Sequence, residues 1–514
     1  MKTILLFGAG KSATVLIDYL LAQAPEENWQ VLVVDANLEL ARMKTGGSVY
    51  ASPLSFDIND ETERGRYIRM ADIVISLLPP QLHIEVARDC IRLEKNLLTA
   101  SYVDEAIRAL SKEIEDKQLF FLYEMGLDPG IDHMSAMQLI DQIHAKGGMI
   151  HSFKSHCGGL VAPESDDNPW HYKISWNPRN IVLAGKAGAH YRENGEEKKV
   201  PYHELFHTTH RVEVPGLESL GWYPNRDSLS YLTLYGLENT ATFIRTTLRH
   251  PDFMYGWNNI IELNLTDETP VYDTDGKTLQ ELFKEHMDKQ GFGEWLNKKL
   301  SERFSQTKDL LEKLVQLAEA ENESDEVPES FLAVEKDGQL EEVNLDEAKN
   351  TAAEFLSHKM HEANLTLKQL FFLGLDDDTT LVNKGKCSAA DLLQFALEKK
   401  LVLYPQDKDM IVMLHEIQYT VGSQQSAVGS QQSSSAKAME DTFAVSSSLV
   451  VKGEDSLRTA MARTVGLPLG IAAKLILNGT IQMTGLHIPT SKTIYEPVLA
   501  ELKNYGVSFT EQHS

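Results

Sequence analysis

Short apolar runs punctuate the first 125 residues: 3–7 (Thr-Ile-Leu-Leu-Phe), 30–34 (Gln-Val-Leu-Val-Val), 72–78, 96–100 and 118–122, with a further strand and turn around 49–57. Their apolar residues are successive rather than alternating, the pattern of strands covered on both faces of a parallel sheet. A helical stretch from Lys11 to about Ala24 separates the first two runs, and Pro79-Pro80 stops the fourth. Strands alternating with helices predict a doubly wound α/β unit over 1–125.

The texture changes at Met125. Glycine, proline and aromatics cluster through 126–180 and 215–257, which predicts a largely antiparallel sheet with inserted loops. Residues 277–320 are helical in composition, with Leu279, Leu282, Phe283 and Met287 on one side. The acidic stretch 319–342 reads as a solvated connector, and further helices are expected over 346–372 and 388–400. Two apolar runs, 410–414 and 443–451, flank a tandem heptapeptide at 421–433 (Val-Gly-Ser-Gln-Gln-Ser-Ala, then Val-Gly-Ser-Gln-Gln-Ser). They are expected to pair across a tolerant loop. Helices at 456–478 and 497–505 and a short strand close the chain.

Composition narrows the function. Lys plus Arg is 49 and Asp plus Glu is 75, a net charge of −26, which disfavours nucleic acid and anionic membranes. Cys90, Cys157 and Cys387 form neither a closed set of pairs nor a CxxC, so a reducing, cytoplasmic setting is expected. No uninterrupted apolar run reaches bilayer-spanning length. The histidines show no metalloprotease spacing and no thiolate cluster, so no metal is expected.

Gly8-Ala-Gly10-Lys11-Ser12-Ala13 follows a buried strand and opens a helix. Gly8 permits the tight turn, Gly10 lets backbone approach a pyrophosphate, and Ala13 permits close helix–strand packing. The helix N-terminus adds N–H donors and positive potential. Asp35 lies 22 residues beyond Ala13, where a carboxylate accepts hydrogen bonds from a ribose and repels a 2′-phosphate. The cofactor expected is therefore NAD, with NADP as the alternative. Asp57 is placed toward adenine and Leu77 toward nicotinamide. Without a ligand, the same residues would make a plain strand–helix turn with Asp35 as a cap.

Three further strings carry polar handles: Gly126-Leu-Asp-Pro-Gly-Ile-Asp-His133, Ser155-His-Cys-Gly-Gly159 with its sequel to Trp176, and the arginine-bearing pair Tyr223–Ser228 and Thr246–Arg249. Arginine is the bidentate partner of carboxylates. With Ser101-Tyr102-Val103 and the C-terminal 460–479 and 497–506 strings, they make the sequence resemble the saccharopine dehydrogenase family of the glutamate-forming type, over nearly the whole chain.

The resemblance implies a Rossmann-like doubly wound parallel sheet plus an α+β catalytic and dimerisation domain with a helical insertion. The dinucleotide domain would span 1–125 and be completed by about 455–514. The sheet domain would take 126–275 and 400–454, and the insertion 276–399. It implies substrate contacts at Ser101, Tyr102, Asp128, Arg226, Thr247, Leu248 and Arg249, and cofactor contacts at the Gly10 turn, Asp35, Asp57, Ile58, Ala100, Ser101, Leu127, Pro129 and Ser175. Asp128 and Tyr102 are the candidate catalytic pair, and a homodimer is implied.

Two departures stand out. NADP-using fungal members carry arginine near the end of the second strand, where this chain has Asp35. Tyrosine usually precedes Cys-Gly-Gly, where this chain has His156.

Each residue also has a plainer role open to it. Arg226 could pair with adjacent Asp227, Asp128 could make an Asx turn before Pro129, and Asp132 and His133 could cap the next helix. Cys157 and His156 are not assigned to catalysis. The activity implied is oxidation of saccharopine, a tricarboxylate secondary amine, to glutamate and 2-aminoadipate semialdehyde, or the reverse condensation. A carboxynorspermidine-type condensation, whose cationic substrate would favour acids where Arg226 and Arg249 stand, and a non-catalytic dinucleotide binder are the alternatives.

Overall fold

The computed structural model describes residues 1–207, 210–299, 301, 331–336, 339–344, 361–362, 364–421 and 441–514. One compact unit comprises Met1–Asp166, Tyr172–His250 and Val402–Ser514; the other comprises Asp167–His171 and Pro251–Leu401.

Two sheets build the first unit. The successive-apolar runs become strands β1 (Lys2–Phe7), β2 (Trp29–Val34), β3 (Ala51–Leu54), β4 (Ile73–Ser76), β5 (Asn96–Thr99) and β6 (Phe120–Leu122). The sheet is wholly parallel, in the order Gly485–His487, β6, β5, β4, β1, β2, β3. Order reverses between β1 and β4, which opens a ligand crevice at the carboxyl ends of those strands. Ile4, Leu6, Val31, Val33, Ile73 and Ile75 pack on one face, and Leu5, Phe7, Leu32, Val34 and Val74 on the other, which explains the continuous apolar runs.

The second sheet centres on β7 (Gly148–Val161). Strand β8 (Leu220–Pro224) pairs antiparallel with β9 (Thr242–Arg249), and β9 runs parallel to β7. Antiparallel β10 (Asp409–Val421) follows β7, and β11 (Asp441–Lys452) pairs with β10 from Met410↔Lys452 to Val421↔Asp441. The two runs flanking the heptapeptide thus do pair; the repeat beyond Val421 falls outside the described residues. Gly158 is required where β7 and β9 meet, because a Cβ there would stand 2.5 Å from Leu248 O.

The C-terminal segment divides between the sheets: Gly485–His487 extends the parallel one, whereas Thr510–His513 pairs with β11. Helix Ala460–Leu477 is long and apolar enough by composition to cross a membrane, yet it is largely buried against helix Thr14–Glu27. Gly466 and Gly470 allow that approach; a Cβ on either would lie 2.8 Å from Leu16 N or 2.5 Å from Tyr19 Cδ1.

The longer segment of the second unit begins at Pro251 rather than near 276, because helix Pro251–Glu262 belongs to it. Its helix Leu279–Lys289 buries Leu279, Leu282, Phe283 and Met287 and starts with a Thr278–Glu281 capping box. Where a connector is expected at 319–342, the described residues contain an antiparallel strand pair, Phe331–Lys336 with Gln339–Asn344. The remaining residues of the helical stretches expected over 277–320 and 346–372 fall partly outside the described residues.

Candidate active site

The glycine turn meets the requirements of a pyrophosphate cradle. Gly8 has φ 97°, and a Cβ on it would lie 2.7 Å from Leu77 O, so β1 and the β4 loop could not otherwise meet. Around Gly10 nothing lies within 4 Å of a hypothetical Cβ, and no side chain caps the helix start that follows. Its N–H groups face an open approach, as an anionic ligand needs. Asp35 is not a helix cap; Asn37 fills that role through Leu40 N. Instead, Asp35 Oδ2 accepts from Ala9 N at 2.8 Å and Oδ1 from Asn37 N at 2.8 Å, bracing the turn from the end of β2. Lys44 donates to Gly10 O and, at 2.7 Å, to Thr14 Oγ1. Burial lowers its pKa to about 8 although Asp35 opposes the shift.

The other expected cofactor contacts fall into two groups. Ala13 is buried, Lys11 Nζ donates to Ile174 O at 3.2 Å, and Ser12, Ile58, Leu77 and Ala100 are half-buried. Asp57 is exposed after β3, its carboxylate receiving Asn59 N. Ser175 is buried and hydrogen-bonded to Asp409, so its side chain serves the packing of the helix Ala460–Leu477 N-terminus.

Beyond β6 the chain makes a knot of backbone contacts. Gly126 N donates to Pro129 O, Asp128–Pro129 is cis, and Gly130 has φ 147° with no room for a Cβ, which would stand 2.1 Å from Gly126 O. Leu127 and Pro129 are buried in this turn. The knot places Asp128 just ahead of the helix that begins at Ile131. Asp128 makes no Asx turn. Its Oδ1 lies 2.6 Å from Arg245 and 3.4 Å from the Tyr102 hydroxyl. The same Arg245 nitrogen lies 2.6 Å from Asp132 Oδ2. Burial, and repulsion from Asp132, push the Asp128 pKa up against Arg245. Burial would also raise Asp132, but His133, Arg245 and the Gly130 N–H together hold it low.

Asp132 and His133 therefore do more than start a helix. His133 Nε2 is 2.9 Å from Glu124 Oε2, and Nδ1 is 2.6 Å from the Tyr235 hydroxyl. Tyr231 donates to the same Glu124 oxygen at 3.1 Å, and Val103 N to the other. Arg245 lies 4.5 Å above the Tyr231 ring. Sequence reading missed Arg245, Glu124, Tyr231 and Tyr235. Only Arg245 left a signal: on strand β9 it shares a face with Thr247 and Arg249.

The arginine-bearing string is fastened to that strand. Asn225 N donates to Arg245 O at 2.7 Å, and Ser228 Oγ accepts from Arg245 N at 3.0 Å. Between them Arg226 sits at φ 50°, exposed, with its guanidinium 5.0 Å from the Tyr102 ring centre. Asp227 turns to Leu229 N and His190, not to Arg226. Strained left-handed backbone on a non-glycine residue commonly marks a functional position. Arg249 is different: it is buried, donates to Gly159 O and Leu248 O, and lies 5.4 Å from the Tyr172 ring. Leu248 is fully buried and Thr247 half-buried. Cys157 is buried close enough to feel Asp128 and Arg245, with its thiol pushed well up by burial. His156 faces the other side of the sheet, bound to Thr246 and Glu416.

The glycine turn after β1 is of the dinucleotide-binding kind, and a buried guanidinium, Arg245, joins Asp128 and Asp132. The chain belongs to the saccharopine dehydrogenase family: residues 4–122 match the family's NADP binding domain and 126–507 its C-terminal domain. It is 29% identical to saccharopine dehydrogenase [NADP(+), L-glutamate-forming] of Saccharomyces cerevisiae, over 99% of both chains. It is 32% identical to the alpha-aminoadipic semialdehyde synthase of Arabidopsis thaliana over 95% of this chain. This chain spans only 41% of that relative's length, and 48% of the bovine one. The apo yeast saccharopine dehydrogenase (L-Glu forming) structure superposes with a TM-score of 0.75 at 27% identity, over all of both chains. The names of the family model and of the fungal relatives favour NADP, against the NAD expected from Asp35.

Proposed function

We propose that the protein oxidises saccharopine to L-glutamate and L-2-aminoadipate 6-semialdehyde, with the reverse condensation open to it. The observation that carries this reading is Arg226, exposed on the Tyr102 ring beside the Asp128–Arg245 cluster. A free guanidinium at the crevice suits a carboxylate-rich amine and would repel a polyamine. The names of full-length fungal relatives support the same substrate.

When bound, the oxidised nicotinamide supplies the hydride acceptor. The Gly8–Ala13 turn would hold the pyrophosphate, and Asp35 would face the ribose. The relatives' names support NADP, and Lys44 beside the turn offers the cation that offsets Asp35. The chain's work is orientation and proton handling. Arg226 takes a substrate carboxylate, while Ser101 and Thr247 offer hydroxyls. Asp128 Oδ2 has no partner among the described residues and accepts the proton of the secondary amine, so that the lone pair can drive hydride from the adjacent carbon. Tyr102 lies beside the same carboxylate and keeps its proton, since burial raises its pKa far beyond neutrality. Water then adds to the imine carbon and the C–N bond breaks, releasing glutamate. The implied homodimer and cytoplasmic setting are part of this proposal; the latter is supported by three buried, unpaired cysteines.

Adding saccharopine to the purified protein with NADP or NAD tests the reading. Nicotinamide reduction is expected, and its absence with both cofactors would refute it.

A further inference from the structure

His83 is a buried histidine that the mechanism above leaves unused. It stands at the start of helix His83–Arg92, just after the β4 loop. Its Nδ1 is 2.8 Å from Ser76 Oγ, and its Nε2 is 2.6 Å from Ser101 Oγ. Ser76 ends β4 and is fully buried; Ser101 follows β5 and is half-buried at the crevice. The imidazole thus ties together the carboxyl ends of two neighbouring strands on the nicotinamide side.

The tautomer follows from counting hydrogens. Burial lowers the His83 pKa to about 4 although Asp104 opposes it, so the ring is neutral near pH 7 and carries one proton. If that proton were on Nδ1, Ser76 Oγ would have to accept, and its own hydrogen would need another acceptor. No other partner for the Ser76 hydroxyl exists among the described residues, and an unsatisfied buried donor is costly. With the proton on Nε2, Ser76 donates to Nδ1 and every buried hydrogen is used. Ser101 Oγ then accepts from His83, and its own O–H is left to point into the crevice.

We infer that His83 is a positioning residue: it fixes the Ser101 hydroxyl as a hydrogen-bond donor aimed at an anionic oxygen of the substrate. The inference rests on the proposed saccharopine activity for the identity of that oxygen, but the tautomer does not. A hydroxyl already oriented loses no rotor freedom on binding and selects an acceptor, a carboxylate, over a donor such as an ammonium.

Two measurements test it. In protein carrying 15N-histidine without substrate, the His83 signals are expected to show Nε2 protonated and Nδ1 bare; a protonated Nδ1 overturns the proposal. In steady-state kinetics, Ser101→Ala and His83→Phe should each raise the saccharopine KM about tenfold, the range of a hydrogen bond to a charged group. The double variant should be no worse than Ser101→Ala alone, since both remove one interaction. His83→Gln, which can still donate an N–H to Ser101, should restore KM toward that of the parent protein and controls for folding. Additive losses, or equal KM in His83→Phe and the parent, would overturn the inference. If the parent protein turns over no saccharopine, the functional reading fails while the tautomer measurement still decides the orientation of Ser101.

Discussion

One terminal nitrogen of Arg245 bridges two carboxylates, half-buried Asp128 and buried Asp132, at 2.6 Å each. Burial, helped by repulsion from Asp132, raises the Asp128 pKa against the pull of Arg245. Arg245→Met should destabilise the fold by about 3–5 kcal/mol, the cost of stranding buried charge. Adding Asp132→Asn to that variant should recover part of the loss. Denaturant unfolding of the single and double variants checks this; equal stability of Arg245→Met and the parent would remove Arg245 from its structural role.

The two arginines read from the sequence should behave differently. Arg226→Ala is expected to raise the saccharopine KM at least tenfold with little change in Tm, since the side chain is exposed and unpaired to Asp227. Arg249→Ala should instead lower Tm, because its buried guanidinium holds two backbone carbonyls, of Gly159 and Leu248. Thermal melts beside initial rates separate the pair.

Asp35→Ser should raise the NADP-to-NAD ratio of kcat/KM by about tenfold, by removing a carboxylate that repels a 2′-phosphate. The variant will also loosen the turn, because Ala9 N loses a charged acceptor. A ratio that stays the same or falls would move the cofactor's ribose away from Asp35.

Acid should weaken the protein between pH 6.5 and 4. Burial lowers both His83 and His415 to about 4, so below pH 6.5 the unfolded chain binds protons that the folded one refuses. The stability is present at neutral pH and is lost as pH falls toward 4, by at most about 3 kcal/mol for each histidine. His415→Gln should flatten the Tm–pH curve over that window; an unchanged slope would contradict the assignment.

The dinucleotide sheet was legible because most of its strands carry apolar residues on successive positions and the glycines sit at a strand end. The acidic strand pair Phe331–Lys336 and Gln339–Asn344 was not, since charge there masks a two-strand pattern. Asp128 and Arg226 could be named from local strings. Arg245 needed the period-two reading of Thr242–Arg249. The Glu124–His133–Tyr231–Tyr235 cluster joins residues some 100 positions apart, so no spacing announces it. His83 was invisible for the same kind of reason: its partners are at the ends of two different strands.

The central claim is tested most directly by the products formed when purified protein, saccharopine and dinucleotide are mixed. The account predicts one glutamate and one aldehyde for each nicotinamide reduced. Formation of lysine and 2-oxoglutarate, or no reduction with either NADP or NAD, would contradict it.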